Sequence, residues 1–353
     1  MRASVRPVFS DGGSCHGLRR QGGPDHLAGA VTASPHFLLS GISSDAGSAS
    51  CGYLSRAYAA SLAEFGTPLE LANSGGWLLA RNIPGTNDRD VMGCYPLLAC
   101  RDWSSLSADL EALRDGFVSV AAVADPFGPA DRSVLEVCFD FVRPFKEHFI
   151  VDLERNPDSF LSRNHRYKAL RSLRQAHVEI CHEPSKHLDE WASMYDVLIA
   201  RHGLRGVKAF SREAFSRQLQ VPGLVMFQYL TDTTAIAAQL WYVQGETACN
   251  HLLAMHARGY ETWAAYGLCY EALNYFRSGA AGLVRRINLG AGAGLGQADD
   301  DGLARFKRGW ASETQPVYFC GRIFNQQRYA DLTGQSGASA SEYFPAYRQG
   351  EFA

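Results

Sequence analysis

The sequence predicts an α/β protein built on a mixed sheet, and three observations lead there. Leu224–Leu230, Ala235–Val243 and Ala248–His256 are consecutive apolar runs of strand length with short breaks between them. A helical pattern from Trp263 to Arg277 follows, then another apolar strand, Val284–Leu289. Glycines at 290, 292, 294 and 296 close that strand, and a second helical pattern, Leu303–Trp310, comes after them. Strands alternating with helices in this way belong to layered α/β architectures.

Composition supports a folded core. The chain has 353 residues, 46% of them hydrophobic and 20% charged, the balance of an ordinary globular protein. A formal net charge of -2 gives no global pull toward nucleic acid or a membrane. The nine cysteines are scattered, form no CxxC pair and have no zinc-like spacing with histidine. They read as small buried hydrophobes in a reducing cytoplasm, and no metal is expected. No apolar run is long enough to span a membrane. Residues 1–35 carry four arginines and many glycines without an apolar signal core, and read as a disordered tail.

In chain order, a helix is expected from Tyr53 to Phe65 and a hairpin from Leu69–Leu71 and Gly76–Ala80. A strand or loop spans Val91–Leu97, and a helix Leu106–Arg114. Phe117–Val123 and Val134–Phe141 read as apolar strands. His148–Leu153 is extended between Pro144 and Pro157. Asp158 reads as the N-cap of a basic helix ending near Gln175. That helix carries Arg163, His165, Arg166, Lys168, Arg171 and Arg174, charges that suit either a solvated face or a polyanion such as tRNA. A short strand at Val178–Ile180 precedes helices at Leu188–Arg201 and Ser211–Leu219. Val317–Phe324 is a last strand, Thr333–Ser339 a loop and Tyr343–Arg348 an aromatic tail.

From Ile150 to Tyr329 this order resembles the core of the GNAT acyltransferase superfamily. Within it, Asn288-Leu289-Gly290, the glycine loop, Phe306-Lys307-Arg308-Gly309-Trp310 and Tyr318–Ile323 are similar to the branch of Fem-type aminoacyltransferases and CelD-like acetyltransferases. The resemblance implies tandem GNAT-like domains: a degenerate one over 36–150, a catalytic one over 151–330, and a tail over 331–353. It implies transfer of an acyl group from acyl-CoA, as cosubstrate, to an amine of a sugar, amino acid or small metabolite. The alternatives are a Fem-like enzyme drawing on aminoacyl-tRNA, and an inactive GNAT-fold scaffold in polysaccharide or natural-product biosynthesis.

In that fold the fourth and fifth core strands splay, and backbone N–H groups in the gap hold the thioester oxygen. The matching strands here are Ala248–His256 and Val284–Leu289. The resemblance then assigns His251 as base for the amine and Tyr266 or Tyr318 as acid for the leaving thiolate. Leu252, Leu253, Arg258, Gly259, Tyr260 and Thr262 face the donor. Trp241, Asn288, Gly290, Gly292 and Lys307 are the substrate-binding candidates, Lys307 meeting a phosphate or carboxylate of acceptor or donor. The chain departs from the usual pyrophosphate signature, since only Arg258 and Gly259 of it stand in place and Glu261 adds a negative charge. The glycine loop fits neither GxGxxG nor a P-loop, and reads either as a plain turn or as a ligand-facing loop. For Lys307 and Arg308, charge logic alone accounts for bases at the end of a helix that Asp299, Asp300 and Asp301 open.

Overall fold

The computed structural model describes residues 50–129, 131–293, 301–338 and 341–351. The tail expected over residues 1–35 and the last glycines of the loop, at 294 and 296, lie outside them.

The first half of the chain contributes β1 (Thr67–Glu70), β2 (Trp77–Asn82), β3 (Arg89–Gly93) and β4 (Ser119–Val123), with helices α1 (Arg56–Ser61), α2 (Leu106–Ala112) and α3 (Arg132–Cys138). The long strand β5 (Phe141–Asp152) follows, then α4 (Arg163–Ser172), β6 (His177–Cys181), α5 (Leu188–His202) and α6 (Arg212–Gln218). Three antiparallel strands come next: β7 (Leu224–Thr231), β8 (Thr234–Gln244) and β9 (Thr247–Met255). After them run α7 (Ala257–Glu261), α8 (Ala264–Arg277), β10 (Arg286–Asn288), α9 (Gly302–Arg308), β11 (Glu313–Ile323) and α10 (Gln326–Gln335).

All eleven strands form one mixed sheet, in the order β1-β2-β3-β4-β11-β5-β10-β9-β8-β7-β6. The late strand β11 pairs with β4 on one side and β5 on the other, so both halves of the chain share the sheet. Its two faces carry separate cores. On one, α1, α5 and α6 enclose Tyr58, Trp191, Tyr195, Phe215 and Tyr242. On the other, α4, α8 and α9 cover Phe227, Trp241, Phe276 and Trp310. Each such buried aromatic or aliphatic side chain stabilises by about 1.5–3 kcal/mol relative to exposure.

Caps explain where several helices begin. Ser55 accepts from the Tyr58 N–H at 3.0 Å and starts α1 later than Tyr53. Ser211 accepts from the Ala214 N–H at 3.0 Å and starts α6 where the sequence places it. Asp158 is not a cap: Ser162 precedes α4, and Asp158 instead pairs with Arg166 at 2.8 Å.

Two expectations need correction. Val134–Phe141 is not a strand, because Asp131 caps α3 through the Ser133 N–H. Leu135 and Cys138 are buried while Val137 is 73% exposed, a helical period that the β-branched residues obscured. Thr333–Ser339 is not wholly loop, since α10, capped by Asn325, runs through Gly334.

Seven of the eight cysteines among the described residues are buried, and none is bonded to another. Burial raises the pKa of several, including Cys94 and Cys320, to about 12, which keeps them as thiols. Among the described residues no helix is long and apolar enough to cross a membrane.

Candidate active site at the parting of two strands

The site begins with a pairing that stops. β10 pairs parallel to β9 at only three positions: Arg286 with Thr247, Ile287 with Ala248 and Asn288 with Cys249. β9 continues to Met255. Among the described residues, its edge toward β10 has no ladder partner beyond Cys249. Backbone N–H groups that point that way are not used by the β9–β10 ladder.

β9 also kinks at this point. Trp241 of β8 stands opposite Asn250 while Leu240 stands opposite Leu252, so His251 is an extra residue in β9. The bulge sends the side chains of both His251 and Leu252 toward the α5–α6 core, while Leu253 packs on the α8 side.

At the end of β10, the Asn288 Oδ1 accepts from the Gly290 N–H at 2.8 Å and lies 3.0 Å from His148 Nδ1. Gly290 adopts φ +75°, which glycine alone takes without strain. The Lys307 ammonium donates to the Ala291 carbonyl at 2.7 Å. A Cβ on Gly290 would lie 3.1 Å from Lys307 Nζ, and one on Gly292 would lie 2.7 Å from Asp301 Oδ2. Lys146 from β5 donates to the Gly292 carbonyl at 3.1 Å. The loop is thus held by two lysines, and Asp301 caps α9 through the Leu303 and Ala304 N–H groups at 3.0 and 3.3 Å.

Electrostatics at this vertex is set by burial. Desolvation, with Lys146 nearby, pulls the Lys307 pKa down to about 8. Desolvation first, then the charges of Lys307 and Lys146, holds the His148 imidazole down to about 3, so it is neutral at ordinary pH. Asp125 stands just beyond β4. It accepts from the Phe127 N–H at 3.0 Å, and burial raises its pKa to about 6 against the pull of Arg286. The Arg286 guanidinium lies over the Phe127 ring at 4.3 Å, and Gln315, opposite His148 on β11, donates to the Pro126 carbonyl. His148, Asn288 and Lys307 thus meet at the vertex from β5, β10 and α9, and Asp125 is linked to it through Arg286 of β10. A buried carboxyl, a neutral imidazole and an enclosed ammonium beside open backbone donors can bind an amine, a carbonyl oxygen and an anion.

The sequence-derived residues divide on this geometry. Asn288, Gly290, Gly292 and Lys307 meet at the vertex, and Leu252 and Leu253 lie on the open stretch of β9. Gly259 is buried where α7 crosses the sheet; a Cβ there would lie 2.8 Å from that of Met255 and 3.1 Å from the Ile236 carbonyl. Arg258 is exposed beside it, Thr262 turns its hydroxyl onto the Arg258 carbonyl at 3.0 Å, and the Tyr260 ring carries the Arg201 guanidinium at 4.2 Å.

Others are placed elsewhere. His251 is enclosed by Tyr53, Tyr58, Phe210 and Tyr242. Its Nδ1 lies 3.2 Å from the Tyr53 hydroxyl and its Nε2 3.2 Å from Gln218 Oε1. Burial lowers its pKa to about 3. With both nitrogens occupied it has no lone pair for an amine, so the base role does not fit. Trp241 is fully buried against Phe276 and is a core residue rather than a ligand contact. Tyr318 packs into the core of the first half, under Arg132. Tyr266 packs between His165 and Phe306 and accepts from Lys168 at 3.4 Å.

No family model matches the chain, and no curated protein matches it. Solved structures do. FemX is similar over 72% of this chain and 86% of its own, at 13% identity and a TM-score of 0.51. The C-terminal domain of a proposed lysylphosphatidylglycerol synthetase from Agrobacterium fabrum covers 77% of this chain and 88% of its own, at 16% identity and a TM-score of 0.53. L-PGS from Bacillus licheniformis covers 77% and 93%, at 15% identity and a TM-score of 0.50. The chain shares the fold of these three proteins.

Proposed function

We propose that this protein is an acyl- or aminoacyltransferase of the GNAT type, moving an acyl group to an amine by direct attack. The observation that carries the reading is the early end of the β9–β10 ladder, with the bulge at His251 beside it. Backbone N–H groups of the open β9 stretch would hold the carbonyl oxygen as negative charge develops. Lys307, behind the glycine loop, would add positive charge to the same region. Asp125 and Arg286 would line the acceptor side, where the first half of the chain meets β10. On this reading residues 36–150 are a degenerate first domain that supplies a wall of the site rather than a second site.

Coenzyme A as donor is supported by Gly259, whose place at the sheet lets α7 come close, and by Arg258. One observation favours aminoacyl-tRNA instead: α4 and the turn after it, residues 163–176, contain four arginines and one lysine and no acidic residue. Arg171 and Lys168 lie over the Trp263 ring at 4.9 and 5.8 Å, an arrangement suited to a stacked base.

Calorimetry with acetyl-CoA and longer acyl-CoAs separates the donors. Saturable heat supports coenzyme A. No heat, together with a transfer activity abolished by ribonuclease, supports tRNA. Neither heat nor transfer from either donor would leave a scaffold.

A further inference from the structure

We propose that His148 is the residue that takes the proton from the attacking amine, and that Asn288 sets its tautomer. The proposal rests on the transferase reading above and names a residue for it.

The tautomer follows from hydrogen-bond counting. Asn288 presents its oxygen, not its NH2, because Oδ1 accepts from the Gly290 N–H at 2.8 Å. The same Oδ1 lies 3.0 Å from His148 Nδ1. Two acceptors cannot share that contact, so Nδ1 carries the hydrogen and donates. Nε2, on the far side of the ring, keeps its lone pair. It has no hydrogen-bond partner among the described residues, and the residue keeps 8% of its surface exposed. His251 is the opposite case, with both nitrogens occupied.

Position agrees. Asn288 is the last residue of β10 to pair before β9 and β10 part. His148 therefore stands on the β5 side of the vertex, with the open edge of β9 beyond β10. Lys146 and Lys307 are the charged groups acting on the ring, and both disfavour imidazolium in the resting protein. A carbonyl oxygen that gains negative charge in the gap offsets that field, so the ring becomes more basic as the intermediate forms.

The step balances. The amine nitrogen forms a bond to the carbonyl carbon, and the C=O electron pair moves to oxygen. Nε2 takes the proton from the new N–H+. On collapse, the bond from carbon to the leaving sulfur or ribose oxygen breaks, and the imidazolium returns the proton to it.

His148→Asn is the test, because its amide can keep the hydrogen bond to Asn288 while removing Nε2. Its partner is His148→Gln, whose longer side chain reaches toward the Nε2 position. The probe reaction uses acetyl-CoA or aminoacyl-tRNA with hydroxylamine, read as hydroxamate, on the full chain. The expected result is about a hundredfold loss of kcat in His148→Asn, with KM for the donor unchanged, a similar loss in His148→Gln, whose amide is not a base, and an unchanged melting temperature. An active wild type with an equally active His148→Asn overturns the assignment alone. A wild type inactive with both donors overturns the transferase reading and the assignment with it. Nitrogen-15 NMR of labelled histidine supplies a readout independent of substrate: Nδ1–H at His148 is expected, and Nε2–H would overturn the assignment.

Discussion

His148 and His251 both fold as neutral imidazoles, each with its pKa lowered to about 3 by burial. An unfolded histidine titrates near 6.5, so the unfolded chain binds more protons than the folded one between that value and about 3. Stability therefore falls as pH drops through this window, by up to about 1.4 kcal/mol per unit for each histidine. His251→Asn should make the acid limb of a denaturation profile shallower, and an unchanged slope would show that the ring is not held neutral. The Lys307 pKa is lowered as well: its charge is present below about 8 and lost above it. Transfer that depends on the ammonium should decline above pH 8, and Lys307→Met should remove that limb and lower turnover. It should cost little stability, because a desolvated ammonium leaves with it. Lys307 and Asn288 were legible because they flank a glycine loop after a strand. His148 and Asp125 were not. His148 meets Asn288 across 140 residues, and no local spacing encodes such a contact. His251 attracted the base assignment by its strand position, while its partner Tyr53, 198 residues away, decides its state.

The elements that the sequence defined best are those whose periodicity is local and strong. β7, β8, β9 and α8 lie within about two residues of their expected limits, since burial on both faces leaves long apolar runs. β10 was foreseen as six residues and is three, Arg286–Asn288. Only pairing defines its end, and that end makes the site. The α3 segment failed because valines at 134 and 137 suggest a strand, while the cap at Asp131 and the burial of Leu135 and Cys138 give a helix. Gly309 tests the packing of α9 behind the loop. Its φ of -70° is ordinary, but a Cβ there would land on the His165 ring. Gly309→Ala should cost about 1–3 kcal/mol by overpacking, measured by urea denaturation. A neutral result would show that His165 can move aside.

For the whole molecule, β11 ties the halves together by lying between β4 and β5. Denaturation should give one transition, the same by tryptophan fluorescence and by circular dichroism; two separated transitions would show that the halves unfold independently. The C-terminal segment adds a second tie. Arg348, 6% exposed, hydrogen-bonds Asp90 through Nη2 at 2.8 Å, and Arg81 lies 3.4 Å from the same fully buried carboxylate. Asp90→Ala would leave Glu351 as the carboxylate paired with both guanidinium groups and should cost about 3 kcal/mol. The central claim concerns the open edge of β9, and amide NMR of the nitrogen-15-labelled chain tests it most directly. Titration with acetyl-CoA, or with a short RNA hairpin carrying a stable aminoacyl 3′ end, should shift the amides of residues 250–253 and 290–292 first and most. Saturation with both donors while those amides stay unmoved would contradict the account.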